Sequence, residues 1–197
     1  MSSTKDPLFG VNWTVSLDSL NIRNTRSRHE DTVFASVSIK VGSNPAVVSP
    51  VISLGNHNNG QFNVPGCVTP AVRITSLVTP IKVGITVMNW GNNPDDEKIG
   101  DIAEAIVSEG ADDVIPGSGE IIDAMYAVLG PIGFADCDGQ VVLAVLGFGG
   151  LSPKPQHTGP KPPHVINFNG TDNGYNSPTG CGSNSIYDYF GHITFVE

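Results

Sequence analysis

Apolar and polar residues alternate with period two over most of this chain. Trp13, Val15 and Leu17 are interleaved with Asn12, Thr14, Ser16 and Asp18, which predicts a first strand, with one buried face, over residues 11–20. After a polar stretch the pattern returns: Val33, Ala35, Val37, Ile39 and Val41 face one way, Ser36, Ser38 and Lys40 the other, up to Gly42. Residues 47–54 are β-branched and apolar but contain Pro50, which cannot donate to a ladder, so they read as an edge or bulged strand. Residues 55–60 (GNHNNG) then read as a loop. Residues 72–78 and 81–90 are two more strands separated at Pro80, with Val83, Ile85 and Val87 sharing a face. Residues 141–146 (VVLAVL) lack alternation, as a strand covered on both faces would. Residues 165–168 and 186–196 supply the last strands, on either side of an Asn/Gly/Ser/Pro loop over 169–184.

The period changes once. Asn93 can cap a helix, Pro94 suits its first position, and Asp95, Asp96 and Glu97 sit where the helix dipole favours anions. Ile99, Ile102, Ala103, Ile106 and Val107 then form one stripe, and Gly110 is placed to end it. Ile121, Ile122, Met125, Val128 and Leu129 suggest a second helix over 118–129. The fold class this predicts is mainly β: an antiparallel β-sandwich, Ig-like or jelly-roll-like, with an acidic two-helix insertion near residues 94–129. All 197 residues are expected to form a single domain, with the proline-rich stretch 152–163 as a surface strap.

Composition agrees with a folded, turn-rich chain: 39% hydrophobic, 15% charged, with 23 Gly and 15 Pro falling between the apolar runs. Charge is unevenly placed. Residues 95–123 hold ten carboxylates against Lys98 alone, while the rest of the chain carries nine charges of each sign, so this stretch accounts for the net charge of -9. An acidic chain without a basic face is not expected to bind nucleic acid. Residues 1–10 lack a basic flank followed by an apolar core, and no run reaches the roughly 18 apolar residues of a spanning helix. A soluble protein, cytoplasmic as synthesised, is therefore expected, with leaderless export or a removed leader as the alternatives. In a cytoplasmic protein Cys67, Cys137 and Cys181 read first as reduced thiols; Cys137 and Cys181, both in turn-like settings, are the candidate pair for a loop-stapling bridge.

Three clusters are candidates for chemistry. Arg23, Arg26, Arg28 and His29 lie within seven positions and could grip a sulfate, phosphate or carboxylate, although pairing with Asp18, Glu30 and Asp31 would serve only to order the connection. Asn169, Asp172, Asn173, Tyr175 and Asn176, with Tyr187 beyond, combine amide, carboxylate and aromatic groups suited to a sugar; the same residue types also form turns. Asp136 and Asp138 around Cys137 could help hold Ca2+ at a sandwich end, no other cofactor being implied, and an ordinary Asp-Gly turn explains them equally. No His-Glu-x-x-His, nucleophile-elbow or phosphate-loop motif is present, so no catalytic residue is assigned.

The leading expectation is a non-catalytic module that recognises a glycan or protein surface through its loops. One alternative is a toxin-like, self-assembling or pore-forming protein that oligomerises and rearranges the acidic helical insertion, with a membrane as partner only when it is oligomeric or triggered by low pH. The other is a hydrolase whose site assembles only in space.

Overall fold

The alternating runs pair into two antiparallel sheets in a computed structural model that describes residues 11–27, 29–74, 80–91, 95–109, 137, 139–148, 164–173, 181 and 184–196. In chain order the elements are β1 (Val11–Asn24), β2 (Asp31–Val41), β3 (Val47–Val48), β4 (Ile52–His57), β5 (Gly60–Asn63), β6 (Val72–Ile74), β7 (Ile81–Asn89), α1 (Asp96–Glu109), β8 (Gly139–Phe148), β9 (His164–Asn173) and β10 (Ile186–Val196). Sheet A has the order β5-β1-β10-β9, with β6 also on β1. Sheet B has the order β3-β2-β7-β8, with β4 also on β2.

The core lies between the sheets. Trp13, Val15, Leu17, Leu20 and Ile22 of β1, with Tyr187, Tyr189 and Ile193 of β10, meet Val33, Ala35, Val37 and Ile39 of β2 and Val83, Ile85 and Val87 of β7. Leu17 and Leu20 can both face inward because a bulge between Leu17 and Ser19 shifts the register against β10, leaving Asp18 as the extra residue. That phase reset carries β1 on to Asn24, where alternation alone predicted an end near residue 20. Residues 55–60, predicted as loop, belong largely to strands: 55–57 end β4 and Gly60 begins β5, only Asn58 and Asn59 connect them, and His57 stacks on Phe62 at 3.7 Å.

The outer face of sheet B is also apolar, and α1 covers it. Phe34, Met88, Leu143 and Val145 project there and pack under Ile99, Ile102, Ile106 and Val107, which is why residues 141–146 show no alternation. The described residues place the helix cap at Asp95, whose Oδ1 accepts the Lys98 amide at 3.1 Å. Asn93 and Pro94, the second helix predicted over 118–129 and the strap 152–163 lie outside the described residues.

Gly84 sets how closely α1 approaches β7. A Cβ there would collide with Ser38 Oγ and lie 2.6 Å from Val107 Cγ1 and 2.9 Å from Ile106 Cδ1. Gly84→Ala is therefore expected to cost about 1–3 kcal/mol in urea unfolding by overpacking the helix–sheet contact. An equal or higher midpoint would mean that the helix yields freely.

Cys137 and Cys181 are joined by a disulfide across a sequence separation of 44, with Cα atoms 5.5 Å apart. The bridge ties the entry to β8 to the approach to β10, and a closed loop of this length constrains the unfolded chain by about 4 kcal/mol in the chain-entropy account. The expectation of reduced thiols therefore holds here for Cys67 alone, which is free and buried. Burial pushes that thiol up to about 11, against the hydrogen bonds of Ser49 and the Val37 backbone, so it is a core group and not a nucleophile. No helix among the described residues is long and apolar enough to cross a membrane.

Candidate binding face

No helix is packed on the outer face of sheet A among the described residues. The strand register sets its side chains in cross-strand rows. One row runs Asn63, Ser19, Phe190, Asn169 across β5, β1, β10 and β9, and the next runs Gln61, Asn21, Asp188, Thr171. Further along, His192 lies opposite Asn167 and Thr194 opposite Val165. Phe190 is 38% exposed in this polar field and Val165 52%, whereas the other aromatics of β10 with described side chains, Tyr187 and Tyr189, are buried on the inner face.

Each carboxylate on this face is held by its neighbours. Asp188 receives Arg23 Nε at 2.8 Å on Oδ2 and Arg23 Nη2 at 2.8 Å on Oδ1, a two-pronged contact. Asn21 Nδ2 adds a bond at 2.9 Å and Thr171 Oγ1 one at 2.7 Å, so three strands are stitched through one side chain. Burial pushes this carboxyl up, but the bonds from Thr171, Arg23 and Asn21 and the guanidinium charge together outweigh it and hold it below the usual range. Beside them His192 Nδ1 donates to Asp18 Oδ2 at 2.7 Å.

The amides behave differently. Among the described residues, the side chains of Gln61, Asn63, Asn167, Asn169 and Asn173 make no internal hydrogen bond, and all five are exposed. Each offers two donors and an acceptor to solvent or to a ligand.

A second polar cluster closes one end of the sandwich. Asp31, with no exposed surface, accepts Ser27 N on Oδ1 at 2.7 Å, and Arg26 N at 2.8 Å and the Tyr187 hydroxyl at 2.7 Å on Oδ2. The Cys137 carbonyl accepts Arg26 Nε at 3.0 Å and Asn89 Nδ2 at 2.9 Å. Asn89 also accepts the Thr32 amide at 2.8 Å and donates to Ser27 Oγ at 2.9 Å. Gly139, at φ 151°, leaves room for the Arg26 guanidinium, which a Cβ would approach to 3.0 Å. These bonds fix the β1–β2 turn, the end of β7 and the bridged cysteine as one unit.

These contacts separate the residues singled out by sequence. The arginine cluster does not converge on an anion: Arg23 lies on a strand and pairs with Asp188 on the outer face, while Arg26 follows the strand's end, turns inward and is buried. His29 is exposed in the intervening turn, and Arg28 lies outside the described residues. Of the sugar-loop candidates, residues 169–173 continue β9 instead of forming a loop, so period two divides them. Asn169 and Asn173 point out, Asp172 points in. Asp172 Oδ2 accepts the Leu143 amide of β8 at 2.8 Å, tying the two sheet edges together. Burial pushes its carboxyl up to about 6 in spite of the bonds from the Leu143 and Asn173 amides. Tyr187 is likewise internal, its phenol pKa raised by burial, by the Asp31 charge and by the bond it donates. A ligand on the surface meets neither Asp172 nor Tyr187. Tyr175, Asn176, Asp136 and Asp138 lie outside the described residues, and among the described residues no group of three or more His, Cys, Asp or Glu is placed to hold a metal ion.

Sequence reasoning missed Phe190, Asn167, Gln61 and Asn63. Phe190 was within reach, because period two in residues 186–196 places it opposite to Tyr187 and Tyr189 and on the face of Asp188 and His192. Gln61 and Asn63 were hidden by their asparagine-rich surroundings, which resemble a loop. No protein-family model matches the chain, and no curated protein sequence matches it.

Proposed function

We propose that this β-sandwich is a non-catalytic binding module whose ligand is a glycan received on the outer face of sheet A. The observation that carries this is Phe190, an exposed ring in register with Asn169 and within a field of uncommitted amides. A ring on a flat sheet can lie against the C–H face of a sugar, and amides on neighbouring strands supply paired donors and acceptors for its hydroxyls. The sequence reading put recognition in the loops, whereas the geometry favours the strands, which hold side chains more rigidly. Helix α1 then serves as the cover of sheet B, apolar stripe inward and carboxylates outward. The Cys137–Cys181 bridge is at home in an oxidising compartment, which supports export over a cytoplasmic site of action.

A glycan array followed by calorimetry tests the proposal. Phe190→Ala should weaken binding at least tenfold, about 1.4 kcal/mol, while leaving the urea midpoint within about 0.5 kcal/mol of wild type. An array without hits, or full binding by Phe190→Ala, would overturn it.

A further inference from the structure

Resting on that reading, we infer that the ligand is an uncharged, extended polysaccharide lying along β9. The inference comes from which polar groups on the face are already engaged. Asp188 is closed by Arg23, Asn21 and Thr171, and Asp18 is paired with His192, so the charges of Arg23 and of both carboxylates are already matched on the face. An acidic sugar would reach only the remaining N–H groups of Arg23 and would share its charge with Asp188, whose own carboxylate lies beside them.

Among the described residues the uncommitted polar groups along β9 and β5 are neutral; the one uncommitted cation on the face, Arg73, sits on β6 opposite Asn12, with β1 and β10 between it and β9. Asn167, Asn169 and Asn173 project from the same side of β9, and Gln61 and Asn63 extend the field on β5. Alternate residues of a strand are about 7 Å apart, so Asn167 to Asn173 covers about 20 Å, longer than one sugar ring needs. Val165, 52% exposed beyond Asn167 on that side, prolongs the apolar contact begun by Phe190. A row of amides with a ring beside it suits a chain of repeating hydroxylated units and offers no salt-bridge partner to a uronate or sulfate ester.

The test compares soluble neutral polysaccharides, a glucan and a galactomannan, with polygalacturonate and hyaluronate. Affinity electrophoresis and calorimetry are run between about 10 mM and about 0.3 M sodium chloride, a range over which the screening length falls several-fold. The expected result is binding to a neutral polymer that changes less than twofold with salt and strengthens at least tenfold from a disaccharide to a hexasaccharide. Asn167→Ala and Asn169→Ala should each weaken it threefold or more. Binding to the acidic polymers alone, steep loss with salt, or equal affinity for disaccharide and hexasaccharide would overturn this inference while leaving glycan recognition standing. Failure of every polymer to bind, or binding unaffected by Phe190→Ala, would remove the underlying reading as well.

Discussion

Asp31→Ala is expected to destabilise the protein by about 5 kcal/mol. The side chain has no exposed surface and accepts from three donors: the Arg26 amide, the Ser27 amide and the Tyr187 hydroxyl. Removing it takes this acceptor from two buried donors and one partly buried donor, at about 1–3 kcal/mol each. The loss would spread, because Arg26 and Asn89 share the Cys137 carbonyl and Asn89 also holds Ser27 and Thr32. Domains of this kind are stable by only about 5–15 kcal/mol, so Asp31→Ala is expected to leave little folded protein to measure. Tyr187→Phe keeps the carboxylate and two of its three bonds, and is expected to lose about 1–3 kcal/mol. Urea unfolding followed by tryptophan fluorescence reports both. Costs below about 1 kcal/mol for each would mean that water replaces the lost partners and that the end of the sandwich is open.

How much of this could be read from sequence depends on the range of the interactions involved. Strand and helix identities were legible because burial imposes period two on β1, β2 and β7 and a helical stripe on Ile99, Ile102 and Ile106. Boundaries failed where polar residues occupy strands. Asn21 to Asn24 and Asn169 to Asn173 look like turn formers, yet hydrogen-bonded register with β10 keeps them extended. The same misreading placed Asp172 beside Asn169 and Asn173 in one site, although a strand sends neighbours to opposite faces. The contacts of Asp31 with Tyr187, and of Asp188 with Arg23, bridge 156 and 165 residues, separations over which no local pattern operates. Cys137 and Cys181 could be paired as candidates by their turn settings, whereas the role of the Cys137 carbonyl as acceptor for two buried side chains could not.

Asp172 gives the chain a pH dependence whose sign follows from its burial. Its carboxyl ionises near pH 6 in the folded protein against an ordinary 3.8, because ionising it means leaving a charge between the sheets with only backbone amides for compensation. Tyr187 lies opposite it in register and Tyr189 nearby, the latter raised to about 12 by burial and then by the Asp172 charge, so neither phenol supplies a cation. The folded state thus binds this proton more tightly than the unfolded state. Stability from this group is fully present below about pH 4 and is lost as pH rises through about 6, by about 3 kcal/mol in all. Asp172→Asn keeps an oxygen for the Leu143 amide and has no charge to bury. It should match wild type near pH 4 and exceed it by about 1–3 kcal/mol at pH 7.5, part of the gain being offset by the new amide N–H groups. Comparing the two proteins at each pH cancels the opposite trend from Asp188, whose lowered pKa makes its own contribution fade as pH falls. A difference that does not change between pH 4 and 7.5 would show that Asp172 ionises without penalty. The link from β9 to β8 would then be wet, and the rigid edge on which Asn167, Asn169 and Asn173 are displayed would lose its tie to sheet B.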